Sequence, residues 1–334
     1  MRTGSTGGAG LRTTRARRCP RYAVEEGIPL NIRVLWELEE EIGSPNFERA
    51  LTQNGEIPRP DSVVVSDTIW IAKGRPAMPY GLRGLLGVRL SLRTGTTDAH
   101  SGVTGGAARN SLAELCDLAH VCVDAKTGRV KIPGFYDDVV PPTKAEMKNF
   151  LASGFQVRRF MQVHGFRALR ATRADEVLRR IWAAPTFEVH GLVGGYTGPG
   201  VKTVVPASGE LKASMRLVPN QTPEKIFRLV KQFIRKQNPL VEVHPEGMLH
   251  PFRGVFEGPY ADAIRRAARA GFGKEPAFIR EGGSIGAVPT MQRLWKVPIL
   301  FLGLSLPEHG YHAPNEYFDW GQASGGMKAF AHYF

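Results

Sequence analysis

Alternation of apolar and polar positions is clearest in two stretches. Leu86, Val88, Leu90 and Leu92 alternate within 85–92, and Leu211, Ala213, Met215 and Leu217 within 209–217. A period of two predicts strands with one buried face. Thr186–Leu192, Lys202–Val205 and Val241–His244 predict further strands of the same antiparallel kind. A helical period takes over in 107–123, where Leu112, Leu115, Ala119 and Val123 share one face. Helices are also predicted at 143–152, 173–183 and Pro223–Lys236. Residues 80–250 thus read as an α+β unit with an antiparallel sheet.

The flanks follow another pattern. Leu30–Trp36 reads as a buried strand running into Glu39-Glu40-Glu41, with a helix over Asn46–Thr52. Ser62–Ser66 reads as a second strand, ending directly in Asp67, with Thr68–Ala72 extended behind it. Gly258–Phe272 predicts a helix and Ala277–Ile279 a short strand. Pro298–Leu302 is apolar throughout, as suits the middle of a parallel sheet. A last helix starts near Asp319. The predicted fold class is α/β: a parallel-rich sheet with helices on both faces, built from 27–79 and 251–334, with 80–250 inserted as a lid. Residues 1–26 are rich in Gly, Thr and Arg and have no hydrophobic period. They read as a disordered or aberrant N-terminus.

The length of 334 residues allows about two domains. The net charge of +13 raises the question of nucleic acid. Six arginines precede the first acidic residue, but Tyr22 is the only aromatic in the first 35 residues. Basic residues without interleaved aromatics argue against a nucleic-acid binder. No apolar run is long enough to span a bilayer, so no membrane partner is expected. Cys19, Cys116 and Cys122 are too scattered for a disulfide framework, and a reducing cytoplasm fits them best.

Strand ends deliver Glu40 and Glu41, Asp67, and His312. Taken singly, each has a plain reading: a solvated acidic turn, a cap residue, a surface histidine. Together, carboxylates and imidazole suit zinc or manganese, with a spare carboxylate free to act as a base.

The order of motifs decides between these readings. Glu-Glu-x-Gly-Ser, strand-Ser-Asp, Asp-x-His-Ser-Gly, Arg-Leu-Val-Pro-Asn, Arg-Glu-Gly-Gly-Ser-Ile and His-x-Pro-Asn-Glu follow one another. With Tyr80–Gly84 and Gly200–Pro206, the chain from about residue 27 resembles the M20-type dizinc metallopeptidases and aminoacylases. The likeness is closest to the dipeptidase and carnosinase branch. It implies a phosphorylase/hydrolase-like catalytic domain, two divalent metals (Zn or Mn), a dipeptide or N-acyl amino acid substrate, and a homodimer formed through the lid. It implies Glu40 as general base, Glu41 and His312 as ligands of one metal, and Asp67 as a ligand of the other. His100 matches a histidine that steadies the oxyanion in a partner's site. Thr203 and Arg216 match residues that hold the substrate carboxylate. Gly283 and Ser284 sit where a glycine loop opens a helix, whose free N–H groups suit an anion.

One part of the family pattern has no counterpart. A His-x-Asp motif and a bridging Asp should precede the Glu-Glu motif, but the first Asp here is Asp61 and the first His is His100. One metal would keep only Glu41 and His312, and the other only Asp67. The expectation is an N-terminally truncated catalytic domain with an exposed sheet edge, weak or inactive alone. The alternative is a catalytically dead homologue that serves as a dimerising or peptide-binding module.

Overall fold

A computed structural model describes residues 25–53 and 57–334. The expectation for 1–26 therefore falls almost wholly outside the described residues. Eleven strands are defined among them: β1 Val63–Val65, β2 Ala77–Leu82, β3 Gly84–Arg93, β4 Ala99–His100, β5 Glu188–Gly194, β6 Val204–Val205, β7 Ser208–Leu217, β8 Glu242–Leu249, β9 Phe252–Arg253, β10 Ala277–Glu281 and β11 Ile299–Phe301.

The alternating stretches form the centre of a four-stranded antiparallel sheet in the order β5-β7-β3-β8. β3 and β7 pair over their whole length, from Gly84 opposite Leu217 to Arg93 opposite Ser208. Their inward residues, Leu86, Val88, Leu90, Leu211, Met215 and Leu217, are at most 2% exposed. Two helices cover that face. Ser111–Cys122 is capped by the Asn110 side chain, which accepts from the N–H groups of Leu112 and Ala113. Pro223–Gln237 buries Ile226, Val230 and Ile234. The first of these helices begins four residues later than its hydrophobic period suggested, because Asn110 terminates the preceding turn.

The flanks build the parallel part. β1 pairs with β11 and β10 pairs with β2, both parallel, and β9 adds antiparallel to β2. The helices Pro259–Phe272 and Trp320–Tyr333 pack beside each other over these strands. Close approach there depends on small residues: a Cβ on Gly271 would lie 2.3 Å from the carbonyl oxygen of Gly325. Within the expected lid, the helices Lys144–Ala152 and Ala174–Ala183 do not cover the antiparallel sheet. Their Phe150, Leu178 and Trp182 join the second core with Trp70, Met78 and Tyr80. The 80–250 segment thus contributes to both cores.

One local expectation is corrected, and one strand was not expected. Leu30–Trp36 forms none of the defined strands, and Leu30 and Trp36 are 52% and 58% exposed. Within the run only Trp36 has bridge geometry, and no ladder of the described sheets includes it. β2 was not marked by any alternation, since Ala-Met-Pro-Tyr-Gly-Leu is buried at every position.

Candidate functional site

The acidic run is held by its own turn. Glu40–Ile42 makes one turn of 3-10 helix, closed by the N–H of Gly43 on the Glu40 carbonyl at 2.8 Å and that of Ser44 on Glu39 at 2.9 Å. Gly43 has φ 84°, which a glycine adopts freely. The Glu39 carboxylate turns inward and accepts from the Asn46 main-chain N–H at 3.1 Å and its side-chain amide at 3.0 Å. Glu40 and Glu41 are left pointing elsewhere. The opposite wall is the loop after β11, where His312 and Asn315 both have left-handed φ, 55° and 64°. That tight path brings His312 Nε2 to 3.2 Å from the Glu41 carboxylate. The Tyr311 ring stacks on the imidazole, with centroids 4.4 Å apart.

The electrostatics join further acids to this pair. Burial, then the charges of Asp67, Glu41 and Glu37, push the Glu40 carboxyl up to about 7, with His312 opposing. Asp67, two residues beyond β1, is raised by burial and by Glu41. Glu281, at the end of β10, is raised to about 8 by burial and by Asp67, although the N–H of Ile69 opposes this. Its Oε2 is buried without a hydrogen-bond partner among the described residues. Burial and the same four carboxylates, Asp67, Glu281, Glu40 and Glu41, raise the Tyr311 phenol. Several carboxyls are thus held close enough to raise one another.

This donor set suits a divalent cation in kind, with hard carboxylate oxygens and one imidazole. It falls short in number. Among the described residues, no three His, Cys, Asp or Glu side chains are grouped closely enough to hold an ion. The described residues therefore do not make up a two-metal centre.

The remaining predicted residues form two further groups. Arg216, on β7, donates to Ser284 Oγ at 2.9 Å. Gly283 lies beside Ser284, but the helix that follows starts only at Ala287, so neither residue opens it. The expectation of a helix N-terminus at this loop is corrected: Gly282–Gly286 continues as irregular chain before the helical turn. His100 and Thr203 meet where β4 pairs with β6, with His100 Nε2 3.5 Å from Thr203 Oγ1. The His100 Nδ1 accepts from the N–H of Gly102 at 3.0 Å. No hydrogen bond or ion pair among the described residues joins this pair to Glu40, Glu41, Asp67 or His312. Three contributors were not singled out in the sequence: Glu281, Tyr311 and Arg83. Glu281 and Arg83 lie inside quoted motifs and Tyr311 directly precedes one, and only the fold shows which groups they meet.

The geometry can be set beside known proteins. Residues 80–242 match the M20 peptidase dimerisation domain. An M20 family metallo-carboxypeptidase from Sulfolobus solfataricus superposes with a TM-score of 0.87 at 30% identity, over 94% of this chain and 72% of that one. The chain belongs to the M20 peptidase family. The di-peptidase Dug1p from Saccharomyces cerevisiae superposes on this M20 chain with a TM-score of 0.81 at 28% identity, covering 93% of this chain and 67% of that one. The human Beta-Ala-His dipeptidase is 29% identical over 93% of the chain. The Cys-Gly metallodipeptidase dug1 of Schizosaccharomyces pombe is 30% identical over 91% of it. The M20 chain spans 63% of the length of the human relative and 66% of the yeast one.

Proposed function

We propose that this chain is a metal-dependent hydrolase of peptide or amide bonds, acting on dipeptides or N-acyl amino acids in a reducing, cytoplasmic setting. The observation that carries the reading is the convergence of Glu40, Glu41, Asp67 and His312 from three separate segments, with Glu40 raised to about 7. A carboxyl titrating there takes and returns a proton at neutral pH, as a general base must. The dipeptidase names of the relatives support the same chemistry.

In this reading Glu40 moves the proton between attacking water and the leaving amine. Arg216, Ser284, Gly283 and Thr203 hold the carboxylate end of the substrate, so that the scissile bond lies over the acids. His100 of a second copy, joined through the dimerisation domain, steadies the developing oxyanion. Two divalent ions, zinc or manganese, would activate the water and polarise the carbonyl when bound. Glu41, His312 and Asp67 are the ligands on offer, and the others are not among the described residues. Activity of this chain alone is accordingly expected to be weak or absent.

Metal content and dipeptide hydrolysis of the purified chain test this together. Bound zinc or manganese, with hydrolysis that falls on the order of 100- to 10,000-fold in Glu40→Gln, supports it. Hydrolysis unaffected by that change removes Glu40 as the base. That no three donors are grouped among the described residues favours a second reading, a dimerising or peptide-binding module without catalysis. Metal-free protein that dimerises and binds dipeptides without cleaving them would establish that one.

A further inference from the structure

The corner formed by Arg216 and Ser284 is built on a residue that has no role in the reading above. Arg83 is the single residue between β2, which ends at Leu82, and β3, which begins at Gly84. It therefore stands where the chain passes from the parallel strands into the antiparallel sheet. From there it grips the glycine loop at three points. Its main-chain N–H donates to the Glu281 carbonyl at 3.2 Å. Its Nε donates to the Gly282 carbonyl at 3.2 Å. Its own carbonyl accepts the hydroxyl of Ser284 at 2.6 Å. Ser284 Oγ is the same atom that accepts from Arg216. The far side of the guanidinium reaches the Ala184 carbonyl at 3.5 Å, at the C-terminal end of the helix Ala174–Ala183. A helix C-terminus is where a cation is welcome.

The loop is shaped to this guanidinium. A Cβ on Gly282 would lie 2.9 Å from Arg83 Nη2 and 3.0 Å from the Ile181 carbonyl. A side chain at 282 would thus have to displace either the arginine or a helix backbone. The charge is also poorly compensated. Burial and the neighbouring Arg216 push Arg83 down to about 9, with Glu188 opposing. Burial lowers Arg216 as well. Neither arginine has an ion-pair partner within 4 Å among the described residues. Two partly buried guanidiniums, with the Ser284 hydroxyl held between that of Arg216 and the main-chain carbonyl of Arg83, make a corner that favours a carboxylate over a neutral amide.

We infer that Arg83 is a positioning residue for the carboxylate subsite: it fixes the Glu281–Ser284 loop so that Ser284 and Arg216 converge on a free carboxylate. The inference rests on the reading of Arg216 and Ser284 as the carboxylate-holding pair. It adds that a planar fork is required at 83, since a lysine would keep the charge but could not reach Gly282 and Ala184 together.

The full chain is titrated with N-acetylglycine and, separately, with N-acetylglycinamide, following main-chain amide resonances. The wild type is expected to bind the acid and not the amide, with a shift of the Ser284 amide, and Arg216→Met is expected to lose that binding. Arg83→Lys is expected to bind the acid about tenfold more weakly, with the Ser284 amide already displaced in the free protein. Gly282→Ala, which presses on Nη2 without touching the charge, is expected to do the same. Should Arg83→Lys fail to fold, Gly282→Ala decides alone. Wild-type affinity and an unmoved Ser284 amide in the folded variants would overturn the role of Arg83 while leaving the carboxylate subsite standing. A wild type that does not distinguish acid from amide would overturn both.

Discussion

Arg280 and Glu281 are neighbours on β10, yet they belong to opposite kinds of environment. Successive strand residues point to opposite faces. Arg280 faces the helix Lys144–Ala152, where it meets Glu146, and both are about 2% exposed. Glu146 also accepts from the Tyr80 hydroxyl at 2.8 Å, from the Thr143 N–H at 2.9 Å and from Arg253 at 3.3 Å. Burial would raise this carboxyl, but hydrogen bonds from Thr143, Tyr80 and Arg280 hold it down at about 2. Glu281 faces the acids, keeps one backbone donor, and is pushed up to about 8. The two carboxyls differ chiefly in partners. One lies in a network of several donors that ties a helix of the 80–242 match to the parallel strands, although Arg280 Nε finds no partner there among the described residues. The other is buried beside Asp67, and its Oε2 has no hydrogen-bond partner among the described residues. The carboxyl with fewer partners is the one that lies beside the residues where chemistry is proposed.

The comparison can be broken by experiment, and the largest effect should come from the satisfied side. Arg280→Met strands a buried carboxylate and is expected to cost about 3–5 kcal/mol in urea unfolding. A cost below about 1 kcal/mol would mean that the network is not structural. Acid titration comes next. The folded value of Glu146 lies below the ordinary glutamate value of 4.5, so its contribution is fully present above about pH 4.5 and lost as pH falls towards 2. That loss amounts to about 3 kcal/mol and should be absent in Glu146→Gln, which is already destabilised at neutral pH.

Glu281 carries the opposite sign. Its folded value is raised, so the stability it confers is present below about pH 4.5 and lost as pH rises through about 8. Glu281→Gln should therefore raise the melting temperature at pH 9 by a few degrees, with little effect at pH 4. A variant equally affected at both pH values would place the carboxyl in ordinary solvent. The smallest effect belongs to Thr143→Ala. It removes the hydroxyl that accepts from the Glu146 N–H at 3.2 Å, one half of a reciprocal cap, and should cost about 1 kcal/mol.

Much of the framework was legible because burial on one face imposes a period. β3, β7 and the helix Pro223–Gln237 declared themselves through spacing alone, and the Val63–Val65 strand through a short apolar run ending at Asp67. β2 did not, because burial on both faces erases alternation and Pro79 argues against a strand. Leu30–Trp36 misled for the converse reason: an apolar run signals a strand only where neighbours exist to pair with it. Motif order drew attention to Glu40, Glu41, Asp67 and His312, and to Arg216 and Ser284, for which a carboxylate-holding role is proposed. Glu281 and Arg83 were in view as letters of those motifs, but their roles depend on which face of β10 and which loop they meet.

The sequence by itself determined the family, the alternating sheet and the residue types available for hydrolysis, since these are properties of local order and spacing. Only the tertiary structure decided that Glu40, Glu41, Asp67 and Glu281 come near enough to act on one another and that Arg280 and Glu281 part company. It also decided that one arginine at a strand junction holds the glycine loop. Electrostatic repulsion, burial and hydrogen-bond satisfaction depend on distances between segments far apart in the chain, and no local pattern encodes them.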